Sequence, residues 1–72
     1  MQFTQIFNYL LSQKGVTPYR MSKETGIPSR MLGYWKDGER IPSSENIIKI
    51  ADYFNVSTDY LLGRTDNPAI NK

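Results

Sequence analysis

Apolar residues recur along the start of the chain at three- and four-residue intervals: Phe3, Ile6, Phe7, Leu10 and Leu11. That spacing puts them on one broad face of a helix over residues 2–13. Gly15 ends it, and Thr17-Pro18 opens the next. A threonine hydroxyl can accept a bond from a free first-turn amide, and proline at the first helical position gives up only an amide that has no partner within the helix. The second helix should end at Gly26. Ile27 and Pro28 leave the turn, and a third helix follows from about residue 28 or 29 to residue 36, closed by Asp37-Gly38.

After the loop Arg40-Ile41-Pro42, Ser43 can cap a fourth helix whose stripe is Ile47, Ile50, Ala51 and Phe54, with Ile48 beside it. Asn55 predicts a left-handed stop. Ser57 or Thr58 can start a short fifth helix over residues 59–62, ended by Gly63. No strand, repeat or low-complexity pattern interrupts this order, so the expected class is all-α. Residues 1–64 form one domain, and residues 65–72, without apolar periodicity, read as a flexible tail or the start of a linker.

Composition narrows the function. A chain of 72 residues commits most of its apolar side chains to one small core and leaves little room for an enclosed active site. With no cysteine there is no disulfide framework or thiolate metal site, and with no histidine the commonest metal ligand and general base is missing. Asp37 and Glu39 read as turn and surface residues rather than a catalytic pair. The expectation is a protein without enzymatic activity, metal or cofactor. No apolar run approaches the roughly 20 residues of a membrane span, and the first residues lack a signal-peptide pattern, so the expected location is the cytoplasm, at the nucleoid.

The net charge of +2 decides little, but its distribution is uneven. Lys14, Arg20, Lys23, Arg30, Lys36 and Arg40 face only Glu24, Asp37 and Glu39 in the middle segment, a local +3. Elsewhere Lys49, Arg64 and Lys72 are outnumbered by Glu45, Asp52, Asp59 and Asp66. A polyanion would gain most by docking on the middle segment, although a mixed solvated surface has similar counts.

Spacing then separates a helix-turn-helix from a plain helical hairpin. Counting from Pro18, the fourth position, Met21, must be apolar, and the fifth, Ser22, must be small where the helices cross. The ninth, Gly26, suits a left-handed turn. Ile27, Leu32 and Trp35, at the tenth, fifteenth and eighteenth positions, lock the second helix of the pair to the core. Thr25, at the eighth, stands where an apolar residue is usual, and its methyl group can pack there. Trp35 shares its face with Leu32 and Met31, which makes it core rather than a stacking platform. Phe54, Tyr53 and residues 60–62 are likewise read as mostly core, with some of them available for a dimer contact.

These positions carry a resemblance. The chain is similar to the phage repressor and Cro-like (XRE-type) helix-turn-helix family through Gly15-Val16-Thr17, Met21-Ser22, Gly26-Ile27, Leu32, Trp35, the Gly38-Glu39-Arg40-Ile41-Pro42-Ser43 loop, Ile50-Ala51 and the stretch from Asn55 to Gly63. The resemblance implies a compact five-helix, lambda-repressor-like domain that binds double-stranded operator DNA, usually as a homodimer. It places Ser29, Arg30, Gly33 and Tyr34 toward base edges, and Thr17, Tyr19, Lys36 and Arg40 toward phosphates. An arginine can bond guanine O6 and N7 together, a serine can bond base or phosphate, and a tyrosine can meet a thymine methyl or a phosphate oxygen. Gly33 is costly inside a helix: either the missing side chain allows closer approach to the groove, or the position simply tolerates glycine.

The sequence departs from the family pattern twice. Pro18 stands where glutamine is common and removes a side-chain amide and a backbone donor. Lys36 stands where a glutamate usually pairs with a basic residue on the first helix, and the matching position is Leu11. Both halves of that ion pair are absent together, so Leu11 is expected to join the packing and Lys36 to be free for phosphate or solvent. The expected function is a phage or bacterial repressor on a palindromic operator. The rival is an antitoxin or protein-interaction adaptor on the same fold, which would need an exposed apolar patch, most plausibly on the fifth helix.

Overall fold

The computed structural model describes residues 2–69. It contains five helices: α1 (Gln2–Lys14), α2 (Pro18–Thr25), α3 (Ser29–Asp37), α4 (Ser44–Phe54) and α5 (Thr58–Leu61). The apolar periodicity of α1 is realised as Phe3, Phe7, Leu10 and Leu11, all buried, with Ile6 partly buried at their edge. The helix extends one residue beyond the expected end because Lys14 still suits the negative C-terminal pole, and the chain reverses only at Gly15, whose φ is 62°.

The fourth helix follows its local signals closely. Ser43 accepts a bond from the Asn46 amide at 3.4 Å, and Glu45 lies in the first turn. Asn55 closes the helix at φ 57°, ψ 46° and is the one non-glycine residue with positive φ among the described residues. The fifth helix starts a residue earlier than expected, at Thr58, because Ser57 is the cap and accepts from the Tyr60 amide at 3.0 Å. Leu62 is consequently the capping residue at the other end rather than part of the helix. Beyond it the chain turns back, and the Pro68 carbonyl accepts the Ser57 amide at 2.9 Å.

The core gathers around α1, which packs on α3 and α5, while α2 packs on α3 and α4 on α5. Phe7 is central. Its ring meets Trp35 edge-on at 6.5 Å and Phe54 edge-on at 6.3 Å, and Phe3 stacks on it at 5.5 Å. Trp35, Phe7, Phe54, Met21, Leu32, Ile50 and Leu61 are the largest fully buried side chains, so each helix contributes to one apolar interior. No charged or polar residue is buried among the described residues. No helix there is long and apolar enough to cross a membrane.

Candidate nucleic-acid interface

Two short helices, α2 and α3, carry the surface where the basic residues concentrate. Thr17 caps α2, its Oγ1 accepting the Arg20 amide at 3.2 Å, and Pro18 occupies the first position. The turn between the helices depends on Gly26 at φ 80°, a conformation with a steric penalty for any residue bearing a Cβ. Its amide bonds the Ser22 carbonyl at 2.9 Å. Thr25 contributes more than a methyl group. Its hydroxyl donates to the Met21 carbonyl at 2.7 Å and accepts the Ile27 amide at 3.2 Å, stitching the end of α2 to the residue beyond the turn.

The third helix begins differently. Pro28 is its N-cap and supplies no side-chain bond; its carbonyl accepts from Met31 at 3.0 Å and Leu32 at 3.3 Å. Leu32 and Trp35 bury one face, with Met31 packed partly beside them. Residues 29, 30, 33 and 34 fall on a different face by helical spacing. There Ser29 and Arg30 are exposed, while Gly33 and Tyr34 are half-buried. A Cβ built on Gly33 would meet nothing within 4 Å, so no contact inside the protein requires glycine at that place.

The C-terminal end of α3 is held from two sides. Gly38, at φ 81°, caps it, and its amide bonds the Trp35 and Tyr34 carbonyls. From α1, the Asn8 side-chain amide donates to the Lys36 carbonyl at 2.9 Å and to the Thr4 carbonyl at 3.0 Å. Leu11 is buried and Lys36 is exposed, so the link from α1 to the end of α3 runs through Asn8 and not through an ion pair. Asn8 escaped the sequence reading. Its signal was slight: a poor helix former inside a helix, one turn after Thr4.

The phosphate candidates are exposed side chains at both margins of the pair: Thr17 and Tyr19 on the α2 side, Lys36 and Arg40 on the α3 side. Two cations among the described residues lie over aromatic rings. Lys23 Nζ is 4.9 Å from the Tyr19 ring centre, and the Arg40 guanidinium carbon is 4.7 Å from that of Tyr34. Lys23, one of the basic residues of the middle segment, is thus a further cation on this surface; its place over Tyr19 was legible only as a four-residue spacing. Arg20 pairs with Glu24 at 3.5 Å, the one ion pair among the described residues; Arg30, Lys36 and Arg40 have no carboxylate partner there. Glu24 also accepts a hydrogen bond from Tyr53 of α4. That bond holds the Tyr53 hydroxyl above its ordinary pKa, with desolvation and the Glu24 charge adding to it and Arg20 opposing.

A second feature lies away from α3. Pro42, Ser44, Ile47, Ile48, Thr58 and Leu62 line an open apolar groove of about 410 Å³. Ile48 and Leu62 are 53% and 42% exposed, so the last residue of α5 and its cap have opposite fates: Leu61 in the core, Leu62 on the surface. Tyr53 and Tyr60 pack partly against the core. Among the described residues no group of acidic side chains could hold a metal ion.

Comparison with known proteins agrees with this geometry. A helix-turn-helix family model matches residues 6–61. The cryptic phage CTXphi transcriptional repressor RstR of Vibrio cholerae serotype O1 is 40% identical over 48 residues, which are 67% of this chain and 43% of that protein. The HTH-type transcriptional regulator ImmR of Bacillus subtilis strain 168 is 31% identical over 52 residues, 72% of this chain and 41% of that protein. The chain spans roughly two fifths of the length of these curated relatives, 43% and 41%. No solved structure matches it with comparable significance. With the family model covering most of the chain, and with the turn, the buried anchors and the exposed face in place, the chain belongs to the helix-turn-helix family of DNA-binding transcriptional regulators, of the phage-repressor type.

Proposed function

We propose that the chain is the operator-reading domain of a transcriptional repressor, binding palindromic double-stranded DNA as a homodimer at the nucleoid, with α3 in the major groove. The observation that carries this reading is the division of α3: Leu32 and Trp35 anchor it to the core while Ser29 and Arg30 stand exposed, Arg30 without a carboxylate partner among the described residues. Arg30 makes a bidentate contact with a guanine, Ser29 assists, and Gly33 sets the depth of the helix. Thr17, Tyr19, Lys36 and Arg40 bind phosphates. The Thr17 oxygen is occupied in capping, but its proton remains available for a phosphate oxygen.

Dimerisation is supported by the groove around Ile48 and Leu62, an exposed apolar surface that a second copy would cover by two-fold symmetry. Two copies so joined read half-sites about 34 Å apart. The relatives' names, a phage repressor and a transcriptional regulator, support the same role. No small molecule, metal or cofactor enters the mechanism: occupancy of the operator acts on transcription directly.

The same groove is what an antitoxin or adaptor would use to hold a different protein, which keeps that reading as the second one. Selection from a random duplex pool separates the two. Enrichment of an inverted repeat supports the repressor; no enrichment, with a co-purifying partner lost on Leu62→Asp, supports the adaptor.

A further inference from the structure

Tyr34 has two kinds of neighbour. Its half-buried side chain packs against the core, and the Arg40 guanidinium lies over its ring at 4.7 Å. The backbone reinforces the pairing. The Tyr34 carbonyl accepts the Glu39 amide at 2.9 Å and is also bonded by the Gly38 amide, so the chain leaving α3 folds back over the helix's last turn. Gly38, in the left-handed conformation, makes that reversal and brings Arg40 over a ring on the preceding helix. The other cation over a ring, Lys23 on Tyr19, is a pair within a single helix turn and links no two elements.

We infer that Tyr34 is a positioning residue for Arg40: its ring is a platform that holds the guanidinium ready for a backbone phosphate and ties the phosphate-binding loop to the base-reading helix. The inference rests on the DNA-reading role proposed above. A free arginine surrenders rotamer freedom when it grips a phosphate, whereas one already stacked on a ring has surrendered part of it before DNA arrives. The planar, delocalised guanidinium stacks well on an aromatic face while its in-plane N–H groups remain free to donate. The platform needs the ring and not the hydroxyl.

The test combines Tyr34→Phe, Tyr34→Leu, Arg40→Ala and the Tyr34→Leu/Arg40→Ala double variant, with binding measured on the selected operator and on a scrambled duplex and folding checked by thermal melts. Tyr34→Leu should weaken binding to both duplexes about three- to fivefold, and Tyr34→Phe should stay within about twofold of wild type. In the Arg40→Ala background, Tyr34→Leu should cost nothing further. In the free protein, the Arg40 side-chain proton resonances should be moved upfield by the ring in wild type and Tyr34→Phe, and not in Tyr34→Leu.

Equal losses from the Phe and Leu variants would overturn the platform in favour of a hydroxyl contact. A loss confined to the operator would overturn it in favour of a base contact. So would losses that multiply in the double variant, or unshifted Arg40 resonances in wild type. If wild type binds no duplex, the DNA-reading role is what fails, and the resonances of the free protein still decide the stacking.

Discussion

Helices α3 and α4 are neighbours in the chain and similar in length, nine and eleven residues, yet they are stabilised in different ways. α4 satisfies nearly every local rule: a serine cap, a glutamate in the first turn, a left-handed asparagine at the end and a stripe of four buried residues. α3 satisfies few. It begins at a proline without a side-chain cap, carries Arg30 where the helix dipole favours an acid, and holds Gly33 mid-helix. What keeps it helical is tertiary: Leu32 and Trp35 in the core, Asn8 on the Lys36 carbonyl and the Gly38 cap. The local deficits of α3 lie at its N-terminus and on the face turned away from the core. Sequences depart from local rules where function asks for it, and uncapped amides beside an arginine favour an anionic partner.

The comparison can be broken by substitution. Removing the anchor of α3 has the largest effect: Trp35→Ala should destabilise the domain by about 3–5 kcal/mol in urea unfolding, because the fully buried ring packs edge-on against Phe7. A loss below about 1 kcal/mol would show that α3 does not depend on its tertiary anchor. Ser43→Ala should cost about 1 kcal/mol through the lost cap of α4, while Pro28→Ala, which removes no side-chain bond, should change stability less.

Gly33→Ala runs in the opposite direction. With open space around the new methyl group, it should stabilise the domain by up to about 1 kcal/mol. If glycine is there for close approach to DNA, the more stable variant binds its operator less tightly. Unchanged affinity with higher stability would remove that role from Gly33.

Elements and caps were legible in the sequence because they are written in local spacing. Thr17, Ser43, Asn55 and the glycines after α2 and α3 each act within a few residues of where they stand. What could not be read is what joins residues distant in the chain. Asn8 to Lys36 and Tyr53 to Glu24 span 28 and 29 positions, and no periodicity encodes such pairs. Thr25 was readable as a poor fit to an apolar position, but its two hydrogen bonds depend on turn geometry. Leu61 and Leu62 look alike in sequence; only the structure shows that Leu61, the last residue of α5, enters the core while its cap Leu62 stays exposed. At the candidate interface, the exposure of Arg30 followed from helical spacing, whereas the stacking of Arg40 on Tyr34 required the loop.

The central claim is that the outward face of α3 reads bases through Arg30. The most direct measurement is the affinity of wild type and Arg30→Ala for every single-base substitution in one operator half-site. Wild type should lose about 1–3 kcal/mol when one guanine is replaced, and Arg30→Ala should be indifferent at that position while keeping its preferences at the others. Wild-type affinity and unchanged preference at every position in Arg30→Ala would contradict the account.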